Sequence, residues 1–421
     1  MPSAAILYHF FHPDDVVSAR HFSEFAEELA KRGWSVTVLT SNRYCRYRGR
    51  KISLPEEEWK GIRIFRSWRP DWNQARTIPR ILNSFWMMAS WAWQLWKRKK
   101  TDAIIVGSDP QFSQLLFPLL RLLRRSSLRV YWCYDLYPEA ILADGATGLT
   151  RRLARRMVPV VKATYRYLDL VADIGPCMKK RFSAYPLKSR PETLTPWALV
   201  EPREIPPADP EYRARVFGDA RLALLYSGNL GKAHDFSLFL RLARTLYPLD
   251  PKIIFCFACR GNRAQELKAA IQPGDRNIRI LPFAKEGELA QRLLAADIHL
   301  ISLQEGWEGI VVPSKFFGSL AVGRPVIYAG PEGSDIAEWI HEFNVGRVLT
   351  DKTVIEVGQE ILRLAQDPEQ MREWGRNAHR AYQQHFTKEK VMDQWDTLLR
   401  SLLPAANGLG SPGKSLLPGM K

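Results

Sequence analysis

Apolar positions along this chain fall in two patterns. Some are short runs that are apolar throughout; others recur every third or fourth residue. The first pattern predicts buried strands and the second amphipathic helices. Ala4–Phe10 is a strand run that leads into His-Pro-Asp-Asp. Ser18–Arg32 reads as a helix stopped by Gly33, and Val36–Leu39 as the next strand. Further strand runs lie at Ala103–Val106, Arg129–Tyr134 and Leu170–Ile174. Residues 186–212 break the pattern with closely spaced prolines, the strongest linker signal in the chain. The alternation then restarts at Ala223–Tyr226 and continues through Ile253–Ala258, Ile278–Leu281 and Ile298–Ile301, with helices at Gln265–Ile271 and Glu286–Ala296. Helices are expected over 353–366 and 368–385. An amphipathic segment at 386–403 and a Gly/Pro/Ser-rich, disordered tail at 404–421 complete the chain. The prediction is an α/β protein with two doubly wound domains, residues 1–190 and 216–385, joined by a linker over 191–215. A length of 421 residues is enough for two full cores.

The richest stretch is Glu305–Asp335, EGWEGIVVPSKFFGSLAVGRPVIYAGPEGSD. An acidic, glycine-containing loop leads to Pro313, whose pre-set φ suits a first helical turn shared with Ser314 and Lys315. Gly323 stops that helix, Pro325–Ala329 is a short strand, and residues 330–333 form a second glycine-rich loop. Upstream, Ser227-Gly228-Asn229-Leu230-Gly231-Lys232 follows a strand and precedes a helix from about Asp235, so its backbone can approach a diphosphate closely. Free N–H groups, Lys232 and Lys315 together make an anion pocket. Arg260, at the end of a neighbouring strand, is a further candidate for nucleotide binding.

Glu308–Pro325 and the Gly-Asn-Leu-Gly-Lys turn at 228–232 resemble the donor half of the retaining glycosyltransferases of family 4, which have the GT-B fold. The branch with Pro-Ser-Lys at the helix start, found in surface-polysaccharide pathways, is the closer match. Ala321-Val322-Gly323-Arg324-Pro325 matches the family's small-x-Gly-x-Pro turn, and Thr195-Pro196-Trp197-Ala198 its interdomain Pro–Trp turn. The resemblance implies two Rossmann-like domains facing a cleft, with the 386–403 helix crossing back onto the N-terminal domain. It also implies transfer of a sugar from a nucleoside diphosphate sugar, with Glu308 serving the sugar hydroxyls. The family usually carries a ribose-holding glutamate where this chain has Gly318. Asp135-Leu136-Tyr137-Pro138-Glu139 resembles the acceptor side of the cleft. His9, His12, Asp14 and Asp15 lie at a strand end; with Asp135, His12 and Asp14 are candidates for orienting the acceptor.

Charge adds a partner. The formal net charge is +17, and residues 80–190 hold twenty Lys/Arg against seven Asp/Glu. A basic field this localised points to an anionic partner. Within it, Arg80–Lys100 reads RILNSFWMMASWAWQLWKRKK, with Trp86, Trp91, Trp93 and Trp96 running into Lys97, Arg98, Lys99 and Lys100. Its apolar stretch is shorter than the roughly twenty residues a spanning helix needs, and this composition suits a membrane interface. Leu115–Arg125 and Arg151–Tyr167 repeat the mixture. The expected partner is an anionic membrane surface on the cytoplasmic side, with a lipid-linked or other glycan acceptor. The aromatics lie among leucine and methionine rather than on a stacking face, which argues against nucleic acid.

The five cysteines include one C-x-x-C, Cys256 and Cys259, in an apolar run with no second pair, so zinc is not expected. The odd count and the absence of a signal-peptide pattern fit a reducing cytosol. No Asp-x-Asp occurs, and no metal or separate cofactor is expected: lysines neutralise the leaving diphosphate. Two rival readings follow from the same residues. One is a non-catalytic membrane or nucleic-acid-binding protein of this fold. The other is a soluble glycosyltransferase with an aqueous acceptor.

Overall fold

A computed structural model describes residues 1–404 except 48, 74–76, 125 and 285; the tail expected to be disordered, 405–421, lies outside the described residues. The N-terminal sheet has eight strands: β1 (Ser3–Leu7), β2 (Ser35–Ser41), β3 (Glu56–Trp59), β4 (Ile62–Ser67), β5 (Ala103–Gly107), β6 (Leu128–Trp132), β7 (Leu170–Asp173) and β8 (Glu192–Thr193). Their order is β3-β4-β2-β1-β5-β6-β7-β8, and only β3 runs antiparallel, paired with β4. The C-terminal sheet comprises β9 (Leu222–Asn229), β10 (Ile253–Arg260), β11 (Ile278–Ile280), β12 (Ile298–Ser302), β13 (Val326–Ala329) and β14 (Gly346–Leu349). It is parallel throughout, in the order β11-β10-β9-β12-β13-β14.

Central strands are buried along their length, as sheets with helices on both faces require. Ala4, Ile6 and Leu7 of β1 pair with Val36, Val38 and Leu39 of β2, all buried. Each sheet has one switch point, where the chain leaves a central strand in one direction and later returns on its other side. In the first sheet it lies between β1 and β5, and in the second between β9 and β12. Ligands of such sheets bind beyond the carboxyl ends of the strands at these places.

Helices that bear on the sites are α1 (Val17–Lys31), α2 (Thr77–Lys97), α3 (Phe117–Leu123), α4 (Gly148–Thr164), α5 (Pro176–Phe182), α6 (Lys315–Ala321), α7 (Asp335–Phe343), α8 (Pro368–His385) and α9 (Lys388–Leu402). Helix α9 belongs to the end of the chain but packs on the N-terminal domain. Trp395 meets Phe25 and Trp132 at 5.0 and 5.1 Å between ring centroids. Trp34 Nε1 donates to Asp396 at 2.6 Å. Trp197 joins the same junction: its carbonyl bonds His21 Nε2 at 2.9 Å and its Nε1 donates to Glu24. Large aromatic rings that also find polar partners make a specific seam.

The helix Lys315–Ala321 starts later than its sequence pattern implies. Ser314 is its N-cap and Pro313 lies outside, its carbonyl taken by Phe316 N–H. Residues 335–349, which carry no prediction of their own, form α7 and β14. The Trp-rich segment is one amphipathic helix, α2, but Trp91 is fully buried beside Met87 and Met88. Trp91 therefore cannot be one of the residues that meet a membrane. Trp86, Trp93 (54% exposed) and Trp96 (62% exposed) do face outward, in line with Ile78, Leu82 and Phe85. Lys97, Lys99 and Lys100 are exposed, whereas Arg98 is half-buried over the Phe65 ring. Helix α4 adds exposed Leu149, Leu153 and Val160 among exposed Arg151, Arg152, Arg155 and Arg156. Among the described residues, no helix is long and apolar enough to cross a membrane.

Candidate active site

At the C-terminal switch point, Lys315 reaches from the first turn of α6 across the end of β9. Its Nζ donates to the carbonyl of Asn229 at 2.9 Å and lies 4.9 Å from the Tyr226 ring centroid. Gly228 makes this reach possible. Its φ is +135°, and a Cβ there would stand 2.8 Å from Lys315 Cε. Asn229 is fitted between two more glycines: a Cβ on Gly231 would meet Asn229 Nδ2 at 2.9 Å, and one on Gly261 its Oδ1 at 2.6 Å. Burial pushes the Lys315 ammonium down to about 7, since the charged form loses water.

His234 completes the cradle. Its Nδ1 faces the Ser302 carbonyl at 2.6 Å, so Nδ1 carries the proton and Nε2 the lone pair. Nε2 is 3.4 Å from Lys315 Nζ. Burial and the Lys315 charge hold the imidazole down at about 3, neutral throughout the physiological range. Arg260 lies alongside, its guanidinium 3.9 Å over the Phe283 ring and its Nε buried without a hydrogen-bond partner. Ser314 makes no cap hydrogen bond with its side chain. A Cβ on Gly318 would meet nothing within 4 Å, so the place expected for a ribose-holding glutamate is open space.

Lys232 does not join Lys315. It ion-pairs with Asp144 of the N-terminal domain, across the cleft. The loop bearing Glu308 also bridges the domains: Arg181 Nε donates to the Glu308 carbonyl at 2.5 Å, and Leu136 N–H to Ile310 at 3.0 Å. The half-buried Glu308 carboxylate makes no hydrogen bond or ion pair among the described residues. Beside it, Asp335 in the first turn of α7 accepts the Cys177 N–H at the start of α5, 2.7 Å away.

At the N-terminal switch point the central pair is His9 and Asp109, which follow β1 and β5; His9 Nδ1 is 3.0 Å from Asp109 Oδ1. His9 Nε2 is buried and unpartnered. Asp135, after β6, has its carboxyl pushed up to about 6, by burial first and by the Asp109 charge second. Its N–H and that of Tyr134 both go to Ser108 Oγ. The other two strand-end candidates are placed elsewhere. Asp14 spends one carboxylate oxygen on Val16 N–H (3.2 Å) and the other on Cys45 N–H (2.5 Å), which makes it a loop brace. His12 stacks on Trp59 of β3, at the far edge of the sheet, with centroids 4.3 Å apart. Sequence reasoning missed His234 and Asp109; His9 was visible only as one of several polar residues at a strand end. Among the described residues, no group of three or more His, Cys, Asp or Glu is placed to hold a metal ion.

Comparison with known proteins agrees with this fold. Residues 18–197 match the model of the glycosyl transferase 4-like domain. The chain is 25% identical over 297 residues to a probable glycosyltransferase, WbjE, of Pseudomonas aeruginosa, covering 66% of this chain and 70% of the relative. It is 24% identical over 350 residues to a putative colanic acid biosynthesis glycosyl transferase, WcaI, of Escherichia coli K12, covering 79% and 84%. Among solved structures, sucrose-phosphate synthase of Thermosynechococcus elongatus superposes with a TM-score of 0.73 at 15% identity, covering 96% and 99%. Anabaena HepE, solved with UDP, superposes with a TM-score of 0.66 at 11% identity, covering 95% and 100%. The fold is GT-B.

Proposed function

We propose that this chain, a glycosyltransferase of GT-B fold, moves a sugar from a nucleoside diphosphate sugar to a hydroxyl of a lipid-linked glycan, retaining the anomeric configuration. The observation that carries the donor half is Lys315, half-buried against Gly228 and Asn229 at the second switch point. A leaving diphosphate needs fixed positive charge where its own charge develops. Lys315 supplies it, with the Gly228–Gly231 backbone and the Ser314 hydroxyl alongside. The bond from the sugar C1 to the diphosphate breaks as the acceptor oxygen bonds to C1, and the departing phosphate takes the hydroxyl proton. Glu308, unpartnered at the cleft, accepts from sugar hydroxyls; Asp135 orients the acceptor. That HepE was solved with UDP and that WcaI is named for colanic acid biosynthesis support the same donor and acceptor classes.

The test is protection from heat unfolding by a panel of nucleotide sugars, since a ligand bound only to the folded state raises apparent stability. One or more uridine or other nucleoside diphosphate sugars should raise Tm, and replacing Lys315 by Ala should abolish the rise. No protection by any member would sink the assignment. Turnover that survives EDTA would support the lysine in place of a metal; loss with EDTA and recovery with magnesium would refute it.

The membrane half rests on the outward aromatic line of α2 with its basic end. Replacing Trp86, Trp93 and Trp96 by Ser should weaken binding to anionic vesicles even at high salt. Replacing Lys97, Lys99 and Lys100 by Gln should weaken it mainly at low salt, where screening is least. A protein that ignores anionic vesicles would redirect the search to aqueous acceptors.

A further inference from the structure

We propose that Arg69 and Arg80 form a binding site for a phosphoryl group of the acceptor, so that the lipid-linked acceptor enters as a lipid phosphate or diphosphate. This rests on the reading that the N-terminal switch point receives the acceptor.

Arg69, in the loop after β4, is 2% exposed. Its backbone is fixed on both sides: its N–H donates to Asn42 Oδ1 at 3.1 Å, and its carbonyl accepts from Arg43 Nε at 2.6 Å. Its guanidinium faces the Phe10 ring at 5.5 Å, but Nε and Nη1 are buried with no hydrogen-bond partner among the described residues, and Arg69 makes no ion pair among them. Buried donors of a charged group are costly to leave unmade, so one that persists calls for a partner the protein does not contain. Arg80 stands in the first turns of α2, its Nη2 donating to Tyr137 Oη at 3.1 Å, and it makes no ion pair among the described residues.

Arg69 lies over the Phe10 ring at 5.5 Å, and that ring stacks on His9 at 4.1 Å, while Arg80 reaches Tyr137, two residues beyond Asp135; both guanidinium groups therefore border the His9–Asp109 pair, on which both charges act. Asp109 uses one oxygen on His9, and neither it nor Asp135, the other carboxylate on this floor, forms an ion pair with either arginine. A guanidinium is a planar fork of N–H groups that matches the oxygens of a phosphoryl group and does not lose its proton. The donor diphosphate does not account for them, since its cradle is Lys315 and Gly228 in the other domain. The connection of Arg80 to α2 points to a lipid. The helix runs from Arg80 into the exposed line Phe85, Trp86, Trp93 and Trp96. From Arg80 to Trp96 is roughly 24 Å along the axis at 1.5 Å per residue. One ligand with a phosphoryl head and an apolar chain fits both ends.

The test measures binding of farnesyl diphosphate, farnesol and inorganic pyrophosphate to the full chain, with the donor cradle disabled by K315A so that pyrophosphate cannot report from there. Farnesyl diphosphate should bind, and R69Q and R80Q should each weaken it at least tenfold while leaving farnesol unchanged. Because Arg69 is buried and R69Q risks misfolding, R80Q, at a half-buried site and with its unfolding temperature measured alongside, decides the matter. Wild-type affinity for farnesyl diphosphate in R80Q would overturn the site. Inorganic pyrophosphate binding as tightly as farnesyl diphosphate, and through the same arginines, would overturn the lipid source. A failure of nucleotide sugars to protect the unmodified protein, with arginine-dependent farnesyl diphosphate binding intact, would remove the donor reading and leave this site standing.

Discussion

The second switch point draws on a few short segments, 226–234, 260–261, 302 and 313–318, and three glycines, Gly228, Gly231 and Gly261, set its shape. The first draws on His9, Arg69, Arg80, Asp109 and Asp135, one residue from each of five segments; His9 and Asp109 alone are 100 residues apart. Both occupy the same topological place, beyond the carboxyl ends of a central strand and its returning neighbour. In the proposed reaction the donor side is a backbone device, in which glycines let a lysine pass close to the main chain and the lysine supplies the charge; the acceptor side is a side-chain device, in which charged groups converge on a floor that no local motif announces.

The sharpest way to break this comparison is to remove the lysine. K315A deletes a charge-assisted contact worth roughly 1.5–3 kcal/mol, so donor affinity should fall at least tenfold, read by titration with the nucleotide. K315M should also raise the unfolding temperature of the empty protein. With a folded-state value of about 7 against about 10.5 unfolded, the unfolded chain holds the extra proton between those values. Stability therefore rises with pH across that window, and the penalty that K315M lifts is fully present below 7. For the same reason, nucleoside diphosphate affinity should fall by up to tenfold per pH unit above 7, where binding must take up a proton. A pH-independent affinity would show that Lys315 does not contact the diphosphate.

G228A tests the backbone half of the comparison. The methyl would face Lys315 Cε, a flexible end that can move aside, but the φ of +135° strains any L residue. A sparsely populated backbone conformation costs about 1–3 kcal/mol, so both stability and donor affinity should fall, by less than in K315A for the latter. G261A should act similarly, since its Cβ meets the Leu230 carbonyl oxygen at 2.6 Å, and backbone cannot step aside. Full donor affinity in both variants would mean that the glycines shape a turn and not a site.

What the sequence disclosed follows the same division. Gly228, Gly231 and the Pro-Ser-Lys segment were legible because backbone requirements leave a local mark. The two sheets were legible because fully buried parallel strands read as unbroken apolar runs. Asp135 was singled out through the resemblance of Asp135–Glu139 to the acceptor side of the family's cleft, and it follows β6 directly. His12 and Asp14 were favoured over His9 because all three follow β1, and sequence gives no sign of which one turns toward β5. Trp91 was grouped with its exposed neighbours because a helix dense in tryptophan on every face hides which face is the core. Residues 335–349 were passed over because a nine-residue helix and a four-residue strand carry too little periodicity.

On the acceptor side, Asp135 gives a smaller, pH-dependent effect. Its folded value of about 6 lies above the usual carboxylate range, so the folded state holds its proton more tightly than the unfolded chain does. Stability from this group is therefore present below about 4 and lost as pH rises through 6. D135N should stabilise the protein at pH 7–8 and change it little at pH 4. If the carboxylate orients the acceptor, kcat/KM for the acceptor should rise through pH 6 in the wild type and flatten in D135N. An acid limb that persists unchanged in D135N would assign it to another group.

The smallest expected effect concerns the Lys232–Asp144 ion pair, which crosses the cleft. Lys232 and Asp144 meet across the cleft, and Lys232 is 55% exposed, so the pair is worth about 1 kcal/mol or less. D144N removes the carboxylate but leaves Lys232 free to turn toward the diphosphate. If Lys232 alternates between Asp144 and the donor, D144N should tighten donor binding by about fivefold or less, and K232A should weaken it. If Lys232 serves only to hold the domains together, both variants should change donor affinity in the same direction. The sign of the D144N effect, measured at low and at high salt, separates the two, since an exposed pair is weakened by added ions. Tightening that disappears at high salt would place Lys232 in the donor site, and equal weakening in both variants would leave Lys315 as its cation.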